Sequence, residues 1–168
     1  MGVTTAMCNT FKKELLEGLH DLDNHTIKIA LIKAGSTETY DAETKTYDNA
    51  DSTYSGGTLP AGAGLTTGTN DEASVTGNAY SVTNNTLTGV SIALSTADNR
   101  AYVTFDDKEW QDITASAEGA LIYNHSLDNH NAIAVFSFGQ TVTSTAGNFT
   151  INFPAVGSEG ATALIRLV

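Results

Sequence analysis

Two β-branched, apolar runs, Glu118–Asn124 (EGALIYN) and Ala132–Gly139 (AIAVFSFG), are separated only by the polar His125–Asn131. Runs of this kind on either side of a short polar link form an antiparallel hairpin, and this hairpin constrains the rest of the chain. Further short apolar runs precede and follow it. Thr26–Ala34 (TIKIALIKA) passes from alternating to continuous apolar character, the pattern of a strand buried at a sheet centre. Asn78–Thr83 and Leu87–Leu94 carry the alternating Tyr80, Val82, Leu87, Val90, Ile92 and Leu94, and the turn Ala97–Asn99 leads to Ala101–Phe105. Asn148–Phe153 and Ala161–Val168 supply the last two expected strands, with Pro154 ending the first of them. Strands and turns alternating at intervals of about 8–12 residues predict a mostly β fold, an antiparallel sandwich or barrel-like meander.

One helix is expected. Ala6–His20 places Cys8, Phe11, Leu15 and Leu19 on one stripe and Lys12, Lys13, Glu14 and Glu17 elsewhere, and Gly18 with Asp21–Asn24 ends it. Packing over the sheet assigns the stripe to stability, and Phe11 is the residue through which the same face would dock on a neighbour. From Gly35 to Gly77 the apolar pattern gives way to Thr, Asp, Gly, Ser and Tyr, including GGTLPAGAG at Gly56–Gly64. This predicts a long Thr/Gly-rich surface excursion that buries little. Tyr40, Tyr47 and Tyr54 recur every seventh residue within it, either as a contact ribbon or as anchors of the excursion on the body.

The 168 residues fit a single domain able to bury a core without disulfides, and the lone Cys8 excludes an intrachain bridge. A net charge of −11 with only 8 Lys plus Arg opposes binding to nucleic acid, whose affinity comes from clustered cations. No apolar run approaches the ~20 residues of a spanning helix, and the opening Met1–Ala6 lacks the basic and apolar regions of a secretory signal. Synthesis in a cytoplasm, with no membrane partner, is the expectation. The Asn-x-Ser/Thr triplets at Asn24, Asn84, Asn124 and Asn148 read as chance in an Asn- and Thr-rich chain.

Chemistry-bearing motifs are missing from the sequence. It contains no GxSxG, HExxH, CxxC, Walker loop or dinucleotide fingerprint. Asp48, Asp51 and Asp71 lack the spacing of a calcium loop, and His125 and His130 have no third ligand nearby in sequence, so they read as solvated tip residues. Trp110, the sole tryptophan, reads as a half-buried core plug with its indole N–H satisfied. Neither a catalytic residue, a cofactor nor a metal is expected. A glycan-degrading enzyme would require two close carboxylates in a cleft.

The blocks MGVTTAMCNTFKKELLEGLHDLDNHTIKIALIKA, WQDITASAEGALIYN, AIAVFSFG, TSTAGNFTINFP and ALIRLV, in this order around a Thr/Gly-rich middle, resemble a family of small tailed-bacteriophage virion proteins. The resemblance covers about two-thirds of the chain and excludes roughly 35–77, whose length and acidity depart from the family pattern. It implies a structural role in the particle, as a capsid decoration or cement protein whose partners are the major capsid protein lattice and further copies of itself, as a homotrimer. The negative charge favours an outer surface away from packaged DNA. The alternative is a tail or fibre component, a receptor- or glycan-binding module that stacks sugars on Tyr40, Tyr47, Tyr54 or Trp110.

Overall fold

The computed structural model describes residues 2–36, 39–47, 71–77, 79–81, 83–96, 99–153 and 165–167. In chain order these give β1 (Ala6–Met7), α1 (Asn9–Leu16), β2 (Ile27–Lys33), β3 (Ser91–Ser95), β4 (Arg100–Thr104), β5 (Lys108–Asn124), β6 (Ala132–Ile151) and β7 (Ile165–Leu167). The strands form two antiparallel sheets, one ordered β1-β6-β5-β2 and the other β3-β4-β7. The fold is therefore mostly β with one helix near its N-terminus, as the sequence pattern predicts.

The β5–β6 hairpin dominates. Its turn lies where the polar link falls, but its strands are far longer than the apolar runs, 17 and 20 residues. The polar stretch 140–147, which carries no strand pattern, continues β6 because its backbone pairs with β5 while most of its side chains face water. Register shifts between Trp110 and Ile113 and between Ala117 and Gly119 bend the ribbon, with left-handed backbone at Asp112 (φ 52°), Gly139 (φ 72°) and Ala146 (φ 44°). At the turn end, Leu121, Ile122, Ile133 and Val135 are buried in the common core with Ile29 and Leu31 of β2.

The helix is shorter than Ala6–His20. Ala6 and Met7 pair with Val135 and Ala134, and the Cys8 N–H bonds the Ile133 carbonyl at 3.0 Å, so the first residues of the expected helix instead satisfy the edge of β6. At the other end Gly18 takes φ 72°, with the Gly18 N–H on the Leu15 carbonyl at 3.2 Å and the Leu19 N–H on that of Glu14 at 3.0 Å. This pair of bonds stops the helix and turns Leu19 away from the core. Cys8 and Phe11 are buried, Leu15 is half-buried and Leu19 is exposed, so only the N-terminal half of the predicted stripe packs.

The 35–77 segment departs most from expectation. Its described parts are built into the body. Tyr40 bridges Val3, Thr46 bridges Asn131, Glu72 bridges Ile32 and Thr76 bridges Thr114. The Ala73 N–H bonds the Leu31 carbonyl at 2.8 Å and the Lys33 N–H that of Asp71 at 2.7 Å, so 71–73 covers one stretch of the outer edge of β2. Residues 85–87 cover the next, through Ile29 N–H to Asn85 at 2.9 Å and Leu87 N–H to Ile27 at 2.8 Å. Extended polar segments here satisfy an edge that would otherwise expose backbone donors. The strand expected over Leu87–Leu94 therefore starts late: Leu87 belongs to this edge cover, and regular pairing with β4 begins only at Ser91. The middle of the excursion, including Gly56–Gly64, lies outside the described residues, as do Val82 and Pro154.

Candidate interaction surface

The smaller sheet presents a grid of apolar side chains. Register pairs Ile92 with Val103 and Val103 with Ile165 in one row, and Leu94 with Ala101 and Ala101 with Leu167 in the next. Directly paired residues, and residues two apart on a strand, share a face, so all six point the same way. Val103 and Ile165 are buried, whereas Ile92, Leu94 and Leu167 are exposed, Leu94 by 68%. Between this face and the helix lies a groove of about 310 Å³, with Phe11, Leu15, His20 and Leu22 on its other wall. Leu16 (91% exposed) and Leu19 add apolar surface at the helix end. Isolated exposed leucines are ordinary, but a row of them beside an apolar groove is the composition of an interface.

The residues singled out by sequence lie elsewhere. Phe11 and Tyr40 are fully buried and Tyr47 nearly so, which corrects their reading as outer contacts, and Tyr54 lies outside the described residues. Phe11 closes the floor of the groove and meets the His20 ring edge-on at 4.7 Å. Tyr40 donates its hydroxyl to Asp71 Oδ2 at 3.1 Å. Tyr47 stacks on Tyr123 at 4.1 Å and donates to Glu72 Oε2 at 2.8 Å. The tyrosines act as anchors, each hydroxyl bonding a carboxylate that the 71–72 segment carries inside.

Glu72 is the most unusual titratable group. Its carboxylate is buried, accepts from Tyr47 and, at Oε1, from Tyr80 at 2.9 Å, while the Tyr80 oxygen accepts the Leu31 N–H at 2.9 Å. Burial raises its pKa, and the two hydroxyls oppose that shift. Burial also pushes the Tyr47 and Tyr80 hydroxyls well above their ordinary range. The network cross-braces β2 and the segments over it. Cys8 is likewise sealed, with burial raising its thiol pKa to about 12. Trp110 is wholly buried, not half-buried, and its indole N–H donates to Asn85 Oδ1 at 2.9 Å as expected.

His125 and His130 are not free tip residues. Their rings stack at 4.5 Å and both pack near Tyr123. Asn124, which no sequence motif marks beyond its Asn-x-Ser/Thr triplet, is fully buried, and its amide bonds both His20 and His25. Its burial excludes it as a glycan acceptor in the folded chain, whereas Asn24, Asn84 and Asn148 are exposed. Among the described residues there is no group of three or more His, Cys, Asp or Glu placed to hold a metal, and no helix is long and apolar enough to cross a membrane.

No protein-family model, curated protein or solved structure matches this chain.

Proposed function

We propose that this protein is a non-enzymatic structural component of a tailed-bacteriophage particle, a capsid decoration protein that binds the outer capsid surface as a homotrimer and stabilises the shell. The observation that carries the binding reading is the open apolar grid of Ile92, Leu94 and Leu167 beside its groove. In a chain of net charge −11, copies repel one another at long range, so self-association requires an apolar contact that gains more on burial than the charges lose. A second copy of the same chain is the occupant this favours, since a cyclic oligomer covers the grid of every subunit with one repeated contact. A local threefold in a capsid lattice then receives three equivalent modest contacts at once, and avidity multiplies them.

The placement on a particle rests on the ordered blocks that resemble small virion proteins. The glycan-binding alternative has less support, because Tyr40, Tyr47 and Trp110 offer no free ring face. Light scattering over a concentration series tests the self-contact. The wild-type chain is expected to be a trimer. Leu94→Asp with Leu167→Asp, at side chains that the monomer leaves exposed, should preserve the thermal transition and weaken association at least about a hundredfold, the scale of losing a hot-spot residue. A wild-type monomer at every accessible concentration, or a trimer indifferent to both charges, overturns the assignment.

A further inference from the structure

All four histidines of the chain gather at one end of the larger sheet. His20 and His25 lie between α1 and β2, His125 and His130 lie in the turn between β5 and β6, and the pairing of Ile27 with Asn124 brings the two connections together. Asn124 is the hub. Its Oδ1 accepts the Ser126 N–H at 3.1 Å, while its Nδ2 lies 3.0 Å from His20 Nδ1 and 2.9 Å from His25 Nδ1. A backbone N–H can only donate, so the amide oxygen must face Ser126 and the two amide hydrogens must face the imidazoles. Both Nδ1 atoms are therefore acceptors, and the His20 proton sits on Nε2. His20 Nε2 accordingly donates to Glu14 Oε2 at 2.8 Å, and Glu14 Oε1 accepts from Asn131 Nδ2 at 2.7 Å. The Asp21 N–H also points at His25 Nδ1, at 3.4 Å.

Protonation of His20 at Nδ1 sets a donor against a donor beside the fully buried Asn124. We propose that Asn124, His20 and His25 form an acid-released clip: protonation of His20 detaches residues 19–26 from the β5–β6 turn while both sheets remain folded. The charges facing the clip divide. From α1, the Glu14 carboxylate favours the imidazolium of His20, and in the connecting loop Asp21 faces His25. Against them stand burial of His20 and the mutual repulsion of His20 and His25. From β2, Lys28 faces His125, which His130 also opposes. Burial is the largest influence on both His20 and His125, and each pKa is lowered.

The sign follows from these depressed values. The folded chain holds fewer protons than the unfolded chain below the ordinary histidine value of about 6.5, so the stabilisation present above it is lost as pH falls through the folded pKa. Glu72 has the opposite sign. Its raised pKa makes the core more stable as pH falls toward the ordinary carboxylate value, which leaves the sheets intact while the end opens. The backbone ties between the two connections are few, the His125 N–H to the Thr26 carbonyl at 2.9 Å and the Thr26 N–H to Ser126 Oγ at 2.8 Å. His20, Asp21 and Leu22 form part of the groove wall, so release also reshapes the groove. The clip is a property of the free chain and stands whether or not the chain decorates a capsid.

Amide hydrogen exchange of residues 19–26, corrected for the intrinsic pH dependence of exchange and followed beside Trp110 fluorescence, tests it. Between pH 7 and pH 5 the opening equilibrium of 19–26 should rise by about tenfold or more, the change per proton over one pH unit of full linkage, with Trp110 emission unchanged. In the double variant His20→Gln with His25→Gln, whose amide oxygens accept from Asn124 without titrating, the rise should disappear. Asn124→Asp should also abolish it, because a carboxylate accepts from protonated Nδ1 and holds the clip in acid. It decides the question if the double variant fails to fold. Opening independent of pH, an acid response retained in these variants, or opening that occurs only together with loss of the Trp110 signal overturns the proposal.

Discussion

Trp110→Ala is expected to remove about half of the stability of this fold. The side chain is 1% exposed, lies 5.2 Å from the Tyr80 ring and 6.1 Å from that of Phe149, and donates its N–H to the buried Asn85. Truncating a buried aromatic costs about 3–5 kcal/mol through lost contacts and the cavity left behind. Leaving the Asn85 oxygen without its donor adds about 1–3 kcal/mol. Against the roughly 5–15 kcal/mol of an ordinary domain, a loss of this size should lower the unfolding midpoint by about half. Urea unfolding followed by far-ultraviolet circular dichroism measures this. Trp110→Phe separates the two contributions, since it keeps most of the volume and loses the hydrogen bond; a variant as stable as the wild type would show that the Asn85 bond contributes little.

Gly119→Ala should be strongly destabilising although it adds only a single methyl group. Gly119 lies in β5 opposite Ser137, and a Cβ there would overlap the Phe136 carbonyl oxygen and stand 2.6 Å from Val3 Cγ1. One obstacle is backbone of the neighbouring strand, which cannot rotate away, so β5 and β6 must separate locally or Val3 must leave its place. Overpacking of this kind costs about 1–3 kcal/mol, and the backbone obstacle sets the expectation at about 3 kcal/mol. The same denaturant titration checks it. Val3→Ala in the Gly119→Ala background should recover only part of the loss, because it clears one obstacle and not the other.

The β5–β6 hairpin, β2 and β4 were legible because apolar alternation and the polar link at 125–131 carry their own physical reason. The continuation of β6 through 140–147 was not legible, because a strand facing water on most of its length has no apolar period and its pairing is made by backbone alone. Tyr40 and Tyr47 appear among small polar residues, which fits a contact ribbon as well as anchors on the body. Their burial depends on Asp71 and Glu72, some thirty and twenty-five residues away. A buried carboxylate looks in sequence like any other acidic loop residue.

The candidate surface was hidden for a related reason. Ile92 and Leu94 alternate as core residues do, and only the register of β3, β4 and β7 reveals that their face stays open. The histidine cluster likewise needs the pairing of β2 with β5, since positions 20 and 124 share nothing in sequence. Gly18 was legible as the end of the helix, yet its consequence, the outward turn of Leu19, was not.

The most direct measurement of the central claim is to add the purified protein to phage capsids stripped of their decoration and to quantify bound copies and resistance to heat. The account predicts saturable binding in multiples of three at equivalent lattice sites, a raised disruption temperature, and loss of both when Leu94 and Leu167 are changed to aspartate. It also predicts no retention on a DNA column at about 0.15 M salt, where a basic patch would still bind. Particles that bind no protein and gain no heat resistance, or retention on DNA in their place, would contradict it.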